Sequence, residues 1–206
     1  MDRSAVHEFS SKMETTEQYM SRMIQVIDRQ IQLLQSLKVF IESPNGKQIL
    51  IDGGANASVL NGLGSVMGFF DRNIDMVLAT HPDKDHIGGL PFVLERYKVD
   101  IFIDSVANGD TGSYRKLEDI VEEKDIDHKY AMRGDIVMLD EKHGVYLHVL
   151  YPEPDEFTIE DTNEMSAVTK LVYGDTSVML TGDAGKIPET KLVSTDGSYL
   201  KSSILK

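Results

Sequence analysis

The stretch THPDKDHIGGL, residues 80–90, carries an unusual density of side chains that can bind metal. Two histidines and two aspartates fall within it: His81, Asp83, Asp85 and His86. Imidazoles and carboxylates this close together suit a divalent cation such as Zn²⁺ or Mn²⁺. Because His81 and Asp83 are alternate residues and Asp85 adjoins His86, the spacing favours two sub-sites, with two ions around an activated water. A solvated acidic loop with incidental histidines is the alternative.

The flanks of this stretch predict a strand before it and a helix after it. Residues 74–79 are mostly apolar, and Gly88-Gly89 opens a helical pattern, so the histidines and aspartates are expected on a strand-to-helix loop. Strand and helix patterns alternate over residues 74–124, which indicates an α/β layered fold. Strands are predicted at 39–41, 48–52, 100–104, 135–139, 145–150, 167–173 and 177–181, helices at 57–70, 89–97 and 114–124, and an acidic loop at 152–163.

The first 37 residues form a separate segment by pattern. Residues 14–37 carry an apolar stripe at helical spacing, so we expect a tail and amphipathic helix over 1–37 and the main domain over 38–206. A helix packed on its own domain is the plain interpretation of the stripe. A short coiled coil that makes a homodimer is the alternative.

Composition excludes some function classes. The 206 residues carry a net charge of −13, which argues against nucleic-acid binding through a broad basic face. It does not argue against a nucleic-acid substrate held by metal ions. The absence of cysteine excludes thiolate ligands and disulfides. No apolar run approaches the roughly 18 residues of a membrane span, and no signal peptide begins the chain, so a cytoplasmic location is the default expectation.

Two further aspartates end apolar strands. Asp183 follows the strand residues 178–180 within Thr181-Gly182-Asp183, where its carboxylate could bridge two ions. Asp52 closes the strand over 48–52 and could orient a metal ligand. In each case a simple turn aspartate is the alternative. His148 alternates with apolar neighbours and is expected to face solvent or a satisfied polar site.

In combination these motifs resemble the metallo-β-lactamase superfamily, whose hallmark is H-x-H-x-D-H after a strand. Residues 81–86 match it with Asp83 in place of the second histidine. That variant is similar to the hydrolase domain of ComEC-type DNA-uptake competence proteins and their soluble stand-alone relatives. The similarity extends to the hairpin at 43–54, to residues 163–166, which resemble the segment replacing the third-motif histidine, and to 173–184, which resemble the bridging-aspartate motif.

The resemblance implies a four-layer αββα metallo-β-lactamase sandwich with an extra N-terminal helix. It also leads us to expect an incomplete C-terminus, because the family continues from a segment like 200–206 into V-G-H-H-G-S, which holds its last metal-binding histidine. The glycine-rich D-V-G-Q-G-D element that usually precedes the hairpin is missing as well.

The resemblance also assigns roles within the site. It implies two divalent ions, Mn²⁺ or Zn²⁺, with His81 and Asp83 on the first, Asp85 and His86 on the second, and Asp183 between them. By the same resemblance Asn163 would line the first site, and Asp85 would orient a metal-bound water or take its proton, giving the hydroxide that attacks a phosphodiester bond in DNA or a small phosphodiester. Asp83 in place of histidine makes that first site harder, which favours Mn²⁺ or Mg²⁺ over Zn²⁺. An ester, lactone or lactam substrate, and a non-catalytic truncated fragment or interaction module, remain open alternatives.

Overall fold

The computed structural model describes residues 38–105, 109, 111–153 and 161–206. The predicted N-terminal helix and the domain boundary before residue 38 therefore concern residues outside the described part, as do residues 154–160 of the predicted acidic loop. Among the helices that are described, none combines the length and apolar character needed to cross a membrane.

The first sheet has five strands in chain order. They are β1 (Val39–Glu42), β2 (Gln48–Ile51), β3 (Asn73–Ala79), β4 (Lys98–Asp104) and β5 (Asp127–Tyr130). β1 and β2 form the predicted antiparallel hairpin, and the remaining neighbours are parallel. Helices connect the parallel strands: α1 (Ser58–Val66), α2 (Lys84–Ile87), α3 (Leu90–Arg96) and α4 (Gly112–Glu123). The carboxyl ends of β2, β3 and β4 consequently lie at one edge of the sheet.

The second sheet is mostly antiparallel. Its order is β10-β9-β8-β7-β6, from β6 (Ile136–Asp140), β7 (Val145–Tyr151), β8 (Val168–Tyr173), β9 (Thr176–Leu180) and β10 (Ile204–Leu205). A final helix, α5 (Lys186–Asp196), and a 3₁₀ turn (Gly197–Leu200) separate β9 from β10. The strands predicted in the second half of the chain are confirmed to within one or two residues at each end.

Alternate residues of a strand point to opposite faces of its sheet and belong to different hydrophobic cores, so the elements stack in four layers. Val77 and Ala79 of β3 pack with the helices α1, α3 and α4, whereas Met76 and Leu78 pack between the two sheets. On the other sheet, Met179 of β9 packs with Leu192 of α5. The order is helices, sheet, sheet, helix, so the predicted αββα architecture is confirmed.

Some element predictions were wrong in extent, and some elements were missed. The helix predicted over 57–70 ends at Val66, because Met67 turns to extended backbone after a segment weakened by Gly62 and Gly64. Strand β5 was missed because it is exposed along its whole length and shows no apolar alternation. Helix α5 was missed because its apolar residues do not form one stripe.

Two glycines make a matched stability test. A Cβ on Gly89 would overlap the Gly53 carbonyl oxygen, whereas one on Gly64, exposed in α1, meets nothing within 4 Å. We expect Gly89→Ala to lower the free energy of unfolding by about 2 kcal/mol or more through overpacking. Gly64→Ala should raise it by about 0.5–1 kcal/mol through helix propensity. Urea denaturation monitored by circular dichroism measures both; equal effects would contradict the close backbone approach at Gly89.

His128, in the edge strand β5, allows a test of how stability depends on pH. His128 Nε2 lies 3.1 Å from Oδ1 of the buried Asp104 carboxylate, and this hydrogen bond, with the charge of Asp104, raises the pKa of His128. A raised pKa means that the folded protein holds the proton more tightly, so this pair stabilises the fold fully below the ordinary value of 6.5. The stabilisation is lost as pH rises through the folded-state pKa. The difference in unfolding free energy between the parent and His128→Gln should therefore shrink above about pH 6.5; a pH-independent difference would contradict it.

Candidate metal centre

The histidine and aspartate cluster follows β3 and folds back on itself. The backbone amides of His86 and Ile87 both donate to the Asp83 carbonyl oxygen at 2.9 Å, so residues 84–87 form one helical turn, α2. This turn carries the His86 ring to 4.0 Å from the His81 ring, measured between centroids. Asp85 and His86 therefore lie on a short helix, whereas the sequence predicted a loop for the whole cluster.

Three of the five predicted metal ligands converge. His81, His86 and Asp183 each present one ligand atom, and these atoms all lie within 4.8 Å of one another. His86 Nε2 is 3.2 Å from Asp183 Oδ1. Both histidines are almost fully buried, at 1% and 2% exposure, and neither Nε2 has a hydrogen-bond partner among the described residues. Two buried, unpartnered imidazole nitrogens beside a carboxylate fit a divalent cation.

The other predicted site residues differ in their placement. Asp83 Oδ2 lies 4.0 Å from His81 Nε2, and the Asp83 side chain is partly exposed. The side-chain oxygen of Asn163 is buried and without a hydrogen-bond partner in the described structure. Asp85 is exposed and does not belong to the converging group.

Asp52 holds His86 directly and His81 through Thr80. Its carboxylate accepts the Thr80 amide and the Thr80 hydroxyl, each at 2.8 Å, and lies 2.8 Å from His86 Nδ1. Since the carboxylate only accepts, we assign the proton to His86 Nδ1, which leaves the Nε2 lone pair facing Asp183. The Thr80 oxygen, its proton already donated, lies 3.1 Å from His81 Nδ1 and can accept from it. Both Nε2 atoms are thus lone-pair donors in the orientation that a cation requires.

The two histidines differ in proton affinity. Burial, with the adjacent His86, lowers the pKa of His81, so this imidazole is neutral near pH 7. Burial also opposes protonation of His86, but the hydrogen bond and charge of Asp52 and the charge of Asp183 outweigh it and raise the pKa of His86. A bound cation would therefore compete mainly with a proton on His86.

The turn before Asp183 packs closely against Thr80 and Ser166. Gly182 has φ +54°, and a Cβ there would lie 3.0 Å from the Thr80 Cβ and 3.2 Å from the Ser166 hydroxyl oxygen. The Asp183 amide donates to that hydroxyl at 3.2 Å. A bulkier residue at 182 would push the Asp183 carboxylate away from His86. Thr80 and Ser166 thus support the site; sequence reasoning did not single out Thr80, although its position at the strand end beside His81 was a usable signal.

Comparison with known proteins agrees with this architecture. A family model described as the metallo-beta-lactamase superfamily matches residues 32–205, most of the chain. The chain belongs to the metallo-β-lactamase superfamily. Among solved structures, MEM-A1, a subclass B3 metallo-β-lactamase from a soil metagenome library, is similar to this superfamily member. It is 14% identical with a TM-score of 0.51, over 82% of this chain and 71% of that one. At this identity the likeness shows the fold alone.

A curated relative is similar in sequence. ComE operon protein 3 of Bacillus subtilis strain 168 is 27% identical over 136 residues, which is 66% of this superfamily member. The matched region spans 17% of that protein, so most of the relative has no counterpart in the match.

Asp52 offers a test of imidazole orientation. In Asp52→Asn the amide would donate toward His86 Nδ1, so the imidazole proton would move to Nε2 and point at Asp183. We expect affinity for Zn²⁺ or Mn²⁺, measured by calorimetric titration, to fall about 10–100-fold. ¹⁵N NMR of the imidazole should report the exchanged tautomer. Asp119→Asn, on the exposed side of α4, is the matched control and should bind metal like the parent. An unchanged His86 tautomer in Asp52→Asn would refute the assignment.

Proposed function

We propose that this metallo-β-lactamase superfamily member is a metal-dependent hydrolase of phosphodiester bonds, with DNA as its substrate class. The convergence of the buried, unpartnered His81 and His86 Nε2 atoms on Asp183 is the observation that carries the proposal. Uncompensated buried nitrogens are costly unless a ligand satisfies them, and a divalent cation does so at this spacing.

Two ions, Mn²⁺ or Zn²⁺, would share these residues. His81 and Asp83 would hold one ion, Asp85 and His86 the other, and Asp183 would contact both. Bound there, the cations would lower the pKa of a coordinated water and neutralise charge on a phosphoryl oxygen. Asp85 would orient the attacking water and receive its proton, and its exposed side chain can then pass that proton to solvent.

The character of the ligands supports a phosphodiester substrate. Asp83 supplies an oxygen where the superfamily motif usually has an imidazole nitrogen, and carboxylate oxygen suits hard cations that bind phosphate well. The net charge of −13 leaves the cations as the main attraction for a polyanionic substrate. The similarity to ComE operon protein 3 supports, more weakly, a role connected with competence.

The activity test compares substrates and metals in one design. The protein, freed of metal by chelation and then supplied with Mn²⁺, Zn²⁺ or Mg²⁺, would be assayed on single-stranded DNA, bis(p-nitrophenyl) phosphate and a chromogenic lactam. We expect Mn²⁺-dependent cleavage of the two phosphodiesters and none of the lactam. His86→Ala and Asp183→Asn should each lower the rate by about 100-fold or more, since each removes a metal ligand.

A surface histidine serves as the control for these variants. Within the described part of the chain, His143 forms its hydrogen bonds with Asp140 in the turn between β6 and β7 and lies outside the converging group, so His143→Ala should retain the parent rate. Cleavage of the lactam alone would replace the proposed substrate with one of the alternatives. Loss of activity in His143→Ala equal to that in His86→Ala would show that the decrease is not specific to the site. Tight, exclusive binding of Zn²⁺ would overturn the preference for Mn²⁺.

A further inference from the structure

The loop over residues 161–166 contacts two of the proposed metal ligands, Asp83 and Asp183. The Thr162 hydroxyl donates to Asp83 Oδ1 at 2.9 Å, and the Ser166 hydroxyl accepts the Asp183 amide at 3.2 Å. One loop therefore touches the ligand that departs from the superfamily motif and the ligand proposed to lie between the ions.

The loop is fixed in place by its own hydrogen bonds. Asp161 Oδ1 accepts the amide of Asn163 at 3.0 Å, and the Met165 amide donates to the Thr162 carbonyl at 3.2 Å. At the far end, the Ala167 amide donates to the Thr80 carbonyl at 2.8 Å, directly beside His81. Thr162 is thus presented by a turn anchored to the end of β3, so its hydroxyl has a defined position relative to Asp83.

The orientation of the Asp83 carboxylate depends on such a partner. Its side chain is 42% exposed, so burial does little to restrict rotation of the carboxylate. The hydrogen bond from Thr162 occupies Oδ1, while Oδ2 lies on the side of His81, 4.0 Å from Nε2. A carboxylate held by one oxygen presents the other in a fixed direction, which is how outer partners orient metal ligands.

We infer that Thr162 is a positioning residue that orients Asp83 as a metal ligand. The inference rests on the proposed metal-dependent function, because it assigns Thr162 a role only when Asp83 binds a cation. The superfamily motif usually has a histidine at the position of Asp83. Here the aspartate at that position is oriented by the hydroxyl of Thr162, which lies 79 residues further along the chain.

The test measures metal binding directly and does not depend on catalysis. Calorimetric titrations with Mn²⁺ and, separately, with Zn²⁺ would use the 206-residue chain and five variants: Thr162→Val, Thr162→Ala, Thr162→Ser, Asp83→Ala and Asp83→Ala with Thr162→Val. We expect Thr162→Val and Thr162→Ala to lower Mn²⁺ affinity about 10–100-fold, the range found for lost outer partners of metal ligands. Thr162→Ser keeps the hydroxyl and should restore most of the parent affinity.

The double variant separates positioning from a general structural effect. If Thr162 acts through Asp83, then Thr162→Val should cause no further loss of affinity once Asp83 is alanine. Parent-like affinity in both Thr162→Val and Thr162→Ala, or an equal loss in the Asp83→Ala background, would overturn the inference and leave the metal site standing. A parent protein that binds neither cation would overturn the proposed function, and the inference with it.

Discussion

The candidate site depends on one buried carboxylate, that of Asp52. It is 3% exposed and accepts hydrogen bonds from the Thr80 amide, the Thr80 hydroxyl and His86 Nδ1. A carboxylate buried to this extent is stable only when hydrogen-bond donors compensate for its lost hydration, and these three donors do so. The same carboxylate sets the orientation of His86 directly and that of His81 through Thr80. Asp52 also adopts φ +57°, a backbone conformation uncommon for residues other than glycine, at the point where β2 turns toward the site.

The topology of the first sheet explains why these residues meet. Parallel strands place their carboxyl ends at one edge, and Asp52 and Thr80 directly follow the neighbouring strands β2 and β3. The glycine pairs at 53–54 and 88–89 then let the two connections approach closely, with the Gly89 amide donating to the Gly54 carbonyl at 2.7 Å. The second sheet completes the group from the opposite side, through the turn that presents Asp183 after β9. The site is consequently shared between the two sheets, and neither sheet alone could form it.

The balance of ligand chemistry follows from the same geometry. Asp52 and Thr80 orient the two histidines, while the Asp183 carboxylate, and at a greater distance that of Asp83, add oxygen atoms beside them. Nitrogen ligands suit borderline cations and oxygen ligands suit harder ones, so the mixed set is consistent with more than one divalent metal. In a protein of net charge −13, such a centre would be a localised source of positive potential once loaded.

Much of the fold was predictable because its signals are local. The apolar run before His81, the turn at Pro44-Asn45-Gly46 and the strand patterns of the second half reflect periodicities of two and of 3.6 that neighbouring residues determine. The exposed strand β5 and helix α5 lack those periodicities, and sequence reasoning missed them. In the site, the motif at 80–90 predicted His81, Asp83, Asp85 and His86 as a cluster, and the structure brings His81 and His86 of that set together with Asp183.

What the sequence by itself determined was therefore the kinds of candidate ligand, the layered α/β class and the strand ends beside which these residues lie. Only the tertiary structure decided which of them converge. It brings His86 and Asp183 to 3.2 Å across 97 residues of chain, leaves Asp85 exposed, and sets Thr162 against Asp83. The physical reason is that these contacts depend on the packing of one sheet on the other. Such packing is a sum of many weak interactions between distant residues, and no short stretch of sequence records it.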